Sequence, residues 1–384
     1  MKRNLIACLI SVILSSHGFA QGFYNSGATI SIASQTIFTV PDSLVNNGTL
    51  TNNGDLRISG AWINNGTYDA GTGVINFNSD LVQTINHNDQ SFERLVISGT
   101  GEKQFLANIT IESELDLQAS NLKSVNGAKI ILNDGASVLG GSDQSHVVGP
   151  VEVQGTGDWI FPIGNGTTYL PVEISNVTAT NTSATLTLHE LNSGEVLTGE
   201  VDIAKLSSKR YWELVLGGGN LNSSTVTLPL NDEADLTTNL DLMIVSESSV
   251  ALGPYSSLGK SLLTGDLNAG SVTSELPPSV SFLTAAALSG ERDIEVYNGV
   301  SVTQDGNNDW MKIRNIELYP ENNVSIYNRW GDRVFDMNNY DNNQRNFRGE
   351  SNVKGNNKLP AGTYFYSIDL GNGTPKATGY LQIK

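Results

Sequence analysis

From about Gly22 to Gly149 the apolar residues fall in short runs, alternating or paired, separated by small and polar turns. Asn46-Asn47-Gly48-Thr49-Leu50, Asn52-Asn53-Gly54-Asp55-Leu56 and Asn64-Asn65-Gly66-Thr67-Tyr68 are near-copies of one unit. Runs such as Gly73-Val74-Ile75-Asn76-Phe77, Arg94-Leu95-Val96-Ile97 and Lys129-Ile130-Ile131-Leu132 follow, at intervals of roughly 15–25 residues. No helical periodicity is present. Strand-length units that repeat at short period bury their apolar face only by stacking on one another, which predicts a short parallel β-helix over residues 21–148. The Asn-Gly corners are expected to supply left-handed backbone.

Around Val148-Gly149-Pro150 the pattern changes to strict alternation at spacings of roughly 8–15 residues. Trp159 to Ile163, Tyr169 to Ile174, Ala184 to His189, Arg210 to Leu214 and Ser224 to Leu228 read as strands of an antiparallel β-sandwich over 149–290. Gly217-Gly218-Gly219 reads as a hairpin tip. Pro277-Pro278 and Gly290-Glu291-Arg292-Asp293 mark a boundary, with a further domain over 293–384. There Val324, Ile326 and Val334 alternate with polar neighbours, and Trp330-Gly331-Asp332 between them predicts a hairpin turn. Trp330 is expected in the core, with Arg329 on the polar face. Gly371-Asn372-Gly373 predicts a second hairpin, from which a strand ending on Gln382-Ile383-Lys384 pairs back.

That last stretch also holds the most specific motifs of the chain. Asp305-Gly306-Asn307-Asn308-Asp309, Tyr319-Pro320, Tyr327-Asn328-Arg329-Trp330-Gly331 and Leu359-Pro360-Ala361-Gly362-Thr363-Tyr364 occur in that order. Together they resemble the gliding-motility-associated C-terminal domain, the type B sorting domain of the type IX secretion system in Bacteroidetes-type bacteria. The chain departs from that pattern at Thr303-Gln304, where the family has Pro-Asn, and at Phe347-Arg348-Gly349, where it has Trp-Asp/Asn-Gly. The resemblance implies an Ig-like β-sandwich and recognition by the secretion machinery at the outer membrane. It assigns the motif to Asp305, Gly306, Asn308, Asp309, Asn328, Arg329, Trp330, Gly331, Pro360, Gly362, Thr363 and Tyr364. Asp305, Asn307 and Asp309 place oxygen-bearing side chains at alternate positions, which suits either an Asx-rich turn or a calcium site. An EF-hand is excluded by Trp310 and Ile316 at its sixth and twelfth positions.

Residues 1–20 read as a secretory signal peptide: Lys2-Arg3, an apolar core over Leu5 to Leu14, and Gly18-Phe19-Ala20 at the cleavage site. The apolar run is too short to span a membrane. The chain has one cysteine, Cys8, which leaves with that segment, so neither disulfides nor thiol chemistry are expected. The net charge is −17, and loss of Lys2 and Arg3 takes it to −19, which argues against nucleic acid as a partner.

Candidate chemistry is sparse. His87, His146 and His189 lack a metal-ligand partner at helical or turn spacing and are expected at turns or on the surface. Parallel β-helices also serve as scaffolds for polysaccharide-acting enzymes, whose sites gather carboxylates on one face of adjacent rungs. Asp69, Asp80, Asp89, Glu93, Glu112, Glu114, Asp116, Asp134 and Asp143 are the candidates. No carboxylate motif joins them, and Glu112, Glu114 and Asp116 also fit a solvated face. The expectation is therefore an all-β, non-catalytic, adhesin-like protein, secreted or held at the cell surface by way of the periplasm. It would have no cofactor beyond the candidate Ca²⁺ and would contact glycans or surface proteins. A polysaccharide-acting enzyme and a passive stalk are the alternatives.

Overall fold

The computed structural model describes residues 22–200, 202–237, 239–289, 294–301, 308–353, 355, 357–371 and 373–384. The chain is all-β, with no α-helix among the described residues. It divides into two units, to Leu288 and from Ser289.

The first unit opens as a β-solenoid. One face is a seven-stranded parallel sheet that runs from Phe23–Asn25 through Leu44–Asn46, Trp62–Asn64, Gln83–Asn86 and Lys103–Phe105 to Leu122–Ser124 and Val147–Val148. A second face stacks Thr29–Ile32, Thr49–Asn52 and Thr67–Asp69. A third stacks Ile37–Val40, Asp55–Ile58 and Val74–Phe77, then the longer Ser91–Ile97 and Ile109–Leu117. Every second residue along these strands points inward, which is why the apolar alternation is so regular. Groups stacked on successive rungs lie 18 to 25 residues apart in the chain. The six-residue spacing of the Asn-Gly copies is therefore corner to corner within one rung, and Asn46 stacks on Asn64 instead.

The corner glycines serve another purpose than the expected left-handed backbone. Gly48, Gly54 and Gly66 are not among the positive-φ residues. A Cβ on Gly66 would stand 2.1 Å from the Gly48 carbonyl oxygen, and one on Gly54 2.5 Å from that of Thr36. They are glycine because stacked rungs approach too closely there for a side chain.

Val151–Gln154 pairs in parallel with Ile130–Leu132 on one side and antiparallel with Ser183–Glu190 on the other. One hydrogen-bonded sheet thus crosses from the solenoid into the strands after residue 149. It continues through Arg210–Gly218, Phe282–Leu288 and Met243–Ser248 to Ser256–Ser257. A five-stranded antiparallel sheet pairs Gly157–Phe161, Val172–Val177, Thr225–Leu230, Gly270–Thr273 and Leu262–Gly265. A single apolar core joins Leu56, Trp62 and Phe92 of the solenoid to Trp159, Trp212 and Leu283 of these later strands. The antiparallel sheets cover the last rung, the capping a stacked repeat requires. Gly217-Gly218-Gly219 is not a hairpin tip, because Arg210–Gly218 leads to Thr225–Leu230 in a different sheet.

The second unit has its own core. Its five-stranded sheet has the order Gly299–Val300, Ala377–Ile383, Gly362–Asp369, Asn323–Tyr327, Arg333–Asn338. Val324, Ile326, Tyr364, Ile368, Leu381 and Ile383 share its buried core with Met311, Ile313, Ile316, Tyr340 and Phe347. The layer holding the latter residues contains the short ladder Glu295–Val296 with Ile313–Arg314 and a 3₁₀ turn at Ile316–Leu318. The Tyr340 hydroxyl fixes it, donating to the Met311 carbonyl and accepting from the Phe347 N–H at 3.0 Å. The hairpin turns expected after Tyr327 and after Asp369 both form, and the last strand is an interior one.

Candidate functional site

Two of the motif segments meet on the second unit. The turn between Asn323–Tyr327 and Arg333–Asn338 is built by Asn328. Its side-chain oxygen accepts from the N–H groups of Trp330 at 3.0 Å and Asp332 at 2.9 Å, and its amide donates to the Asp332 carboxylate at 3.1 Å. Gly331, at φ +86°, closes the turn and donates to the Asn328 carbonyl at 3.0 Å. With its backbone groups satisfied internally, the turn stands out from the sheet carrying Arg329 and Trp330.

Opposite lies the segment from Pro360 to Tyr364. Tyr364 is buried, and its hydroxyl donates to the Pro360 carbonyl at 2.9 Å, holding the segment bent. Burial pushes the Tyr364 hydroxyl above the usual tyrosine range, and the Arg329 charge opposes that shift. Gly362 takes φ +156°, a backbone conformation that favours glycine, and the Arg329 guanidinium lies beside it, 3.7 Å from where a Cβ would stand. Asn328, Arg329, Trp330, Pro360, Ala361, Gly362, Thr363 and Tyr364 line one shallow cleft of about 70 Å³. Seven of these eight are motif residues identified from sequence; Ala361 completes the set.

Trp330 is not in the core: its side chain is 78 % exposed, with the Arg329 guanidinium 5.3 Å from its ring centroid. Turn geometry overrides hydrophobicity here, since a residue at the tip of a two-strand hairpin has no second layer to enter. An exposed indole carrying a cation on one face is a pairing suited to recognition.

Asp305, Gly306 and Asn307, and the signal-peptide segment, lie outside the described residues. Asn308 is exposed in left-handed backbone, and its carbonyl accepts from Ser301 at 2.8 Å; Asp309 is half-buried. Phe347, at the departure from the family pattern, is buried against Phe335, and Arg348 lies 5.8 Å from the Trp310 ring. Among the described residues no three His, Cys, Asp or Glu side chains gather as a metal site, and no helix is long and apolar enough to cross a membrane.

Several of the candidate carboxylates tie segments together, Asp80 and Asp89 between neighbouring rungs, and Asp134 and Asp143 from the solenoid to the chain that follows it. Asp80 accepts from the Thr100 N–H at 2.9 Å, Asp89 from Asn108 at 3.0 Å, Asp134 from Thr156 at 3.2 Å and Asp143 from Tyr169 at 2.8 Å. Asp80 is accordingly held below the usual carboxylate range, chiefly by the Thr100 N–H. Glu114 pairs with Arg94 at 3.2 Å, and Asp116 accepts from Gln118.

The histidines differ from expectation. His87 and His146 are fully buried, and only His189 is partly exposed, 3.1 Å from the Glu213 carboxylate. His87 stacks on Phe92 with centroids 3.6 Å apart and accepts the Trp62 indole N–H at 3.1 Å. Desolvation lowers its pKa to about 3, so it packs as a neutral ring. An imidazole can fill an inward position as long as both nitrogens find partners, and Ser91 supplies the second.

Two internal polar features were not read from sequence. Asn25, Asn46 and Asn64 form a buried ladder, the Asn25 amide donating to the Asn46 side-chain carbonyl at 2.7 Å and the Asn46 amide to that of Asn64 at 2.8 Å. The recurrence of Asn-Asn-Gly was its signal. Lys103 is fully buried, donating to the carbonyls of Ser79 at 2.8 Å and Gly101 and to the Ser120 hydroxyl at 3.2 Å. Desolvation lowers its pKa to about 8.

Residues 294–383 match the family model described as the CHU_C type IX secretion signal domain. No curated protein and no solved structure matches the chain. The C-terminal unit is thus a type IX secretion signal domain, and it addresses the chain for export by that system.

Proposed function

We propose that this is a non-catalytic, adhesin-like protein of the cell surface, carried to the periplasm by residues 1–20 and then across the outer membrane. In this reading the secretion machinery docks on the Arg329–Trp330 cleft. The observation that carries it is the convergence of two separate motif segments, both inside 294–383, on one cleft beside a protruding tryptophan. The acidic solenoid, with its outward Asn, Thr and Ser positions, would then offer a polar wall for repeated weak contacts with glycans or surface proteins. The use of Asp80, Asp89, Asp134 and Asp143 as acceptors for backbone N–H groups of other segments supports the non-catalytic part.

The test is export of a fluorescent reporter that carries residues 1–21 before it and 289–384 after it, in a type IX-competent host and a secretion-defective one. Reporter should appear outside the competent host alone, and Trp330→Ala with Arg329→Ala should cut that fraction at least about tenfold, as expected of a hot-spot pair. Equal export by the double variant would remove the cleft from the reading, and periplasmic retention in both hosts would overturn the whole of it. For the body, degradation of a surface polysaccharide by purified protein would favour the enzyme alternative. Neither binding nor degradation would favour the stalk.

A further inference from the structure

The solenoid is covered at one end and open at the other. The antiparallel sheets cap its last rung. Phe23–Asn25, Thr29–Ile32 and Ile37–Val40 of the first rung each end their sheet, paired on one side only among the described residues. The core is open there as well. Phe23 stacks in register on Leu44, Ile30 on Leu50 and Phe38 on Leu56. Those second-rung residues are fully buried, whereas Phe23, Ile30 and Phe38 are only half-buried, the two phenyl rings meeting edge to face at 5.4 Å. Open strand edges are usually guarded by charged side chains or by proline. Arg333–Asn338, an edge strand of the C-terminal sheet, carries Arg333 and Asp336 in this way. None of the three first-rung strands holds a proline, and residues 22–41 contain no Asp, Glu, Lys, Arg or His, in a chain of net charge −17. The next charged residues along the chain are Asp42, bonded to the Ser43 N–H at 2.7 Å, and Asp55, paired with Arg57 at 2.6 Å.

We propose that this end is the interface of a two-fold dimer, in which the first rungs of two copies of the chain meet head to head. Turning one copy over to face the other sets the strand edges antiparallel, which brings outward N–H groups opposite outward carbonyls. Phe23–Asn25 then pairs with its own copy, and the four-residue strands Thr29–Ile32 and Ile37–Val40 exchange partners. That arrangement covers Phe23, Ile30 and Phe38 with their counterparts and carries the core from one copy into the next. Charge favours a second copy as the partner. An end without ionisable groups offers nothing to select a strongly charged ligand, and two acidic chains repel wherever their charged surfaces approach. Because the far end of each solenoid is covered, the pairing closes at two copies and does not run on into a filament. The inference rests on the removal of residues 1–20 proposed above: only Gln21 then precedes Gly22, which is too little chain to pair three strand edges.

The test is sedimentation velocity of residues 21–384 from about 1 to about 100 μM, with hydrogen exchange at both ends of that range. A monomer-dimer equilibrium is expected, and the amides that gain protection at the higher concentration should lie within residues 22–41. Ser31 and Thr39 are exposed on this rung. The carbonyls of Ala28, Ile32, Thr36 and Val40 bond to the second rung, so by strand alternation the N–H groups of Ser31 and Thr39 face outward. Ser31→Pro with Thr39→Pro removes two outward donors and no existing bond, and should weaken the dimer at least about tenfold. Ser31→Glu with Thr39→Glu keeps the backbone donors and should weaken it too, with partial recovery at about 1 M salt. Melting temperatures check that each variant is folded. A monomer at about 100 μM, or a dimer that both double variants leave unchanged, would overturn the inference. The intact mass of exported protein tests the removal of residues 1–20 separately. An exported chain that keeps them, stays monomeric and protects residues 22–41 would make that segment the cap and overturn the pairing of copies.

Discussion

At the scale of single residues, the solenoid depends on polar groups that composition alone would assign to its surface. Asn46 sits in the middle of the buried ladder, accepting from Asn25 and donating to Asn64. Asn46→Ala leaves the Asn64 carbonyl and one Asn25 N–H without these partners in a dry interior, and should cost about 2–4 kcal/mol in urea unfolding. Asn65→Ala, one residue from Asn64 but on the exposed ladder to Asn47, should cost under about 0.5 kcal/mol. Comparable losses for the two would remove the ladder from the account.

Lys103 makes a prediction of sign. Its folded pKa, about 8, lies below its ordinary value of 10.5, because burial disfavours the charged form. Between those values the unfolded chain holds a proton that the folded chain has released, so this group makes stability rise with pH across that window. Below about pH 8 both states are protonated and the penalty is constant. Urea midpoints of wild type and Lys103→Met should therefore converge or diverge only above pH 8, with the Lys103-dependent slope upward. A difference that stays flat from pH 7 to 10 would contradict this.

At the scale of elements, the last strand is the informative one. Ala377–Ile383 lies between Gly299–Val300 and Gly362–Asp369 and contributes Leu381 and Ile383 to the core. Truncation after Gly373 removes an interior strand and exposes two edges, so the C-terminal unit should unfold entirely while the first unit keeps its own melting transition. Calorimetry would show loss of one transition; survival of both would mean that the sheet closes without this strand. The final strand and both hairpins of this unit were legible in sequence, because turn residues and period-two alternation are local. The exposure of Trp330 was not. Whether a large apolar residue in a turn enters a core depends on what lies across from it, and nothing in the neighbouring residues reports that.

At the scale of the molecule, the first unit is built as one body. A shared sheet and a continuous core run from the stacked rungs into the antiparallel strands. Phe92→Ala in the solenoid and Trp212→Ala in the antiparallel region, both fully buried, should each cost about 3–5 kcal/mol. Both should lower the same single transition. Two resolved transitions within residues 22–288 would show that the shared sheet does not couple them.

The sequence by itself determined the strands, the stacking of short rungs, the hairpins of the last unit and the motifs that mark it as a secretion signal. These rest on local backbone preference and on alternation, which act within a few residues of one another. Only the tertiary structure decided the rest. It set the six-residue repeat as corner to corner and made Asn46, His87 and Lys103 interior groups. It required glycine at the corners for want of space, and it gathered Asn328–Trp330 and Pro360–Tyr364 into one cleft. Each of those outcomes depends on which residues from distant parts of the chain become neighbours, and that is fixed by register between strands and not by any single strand.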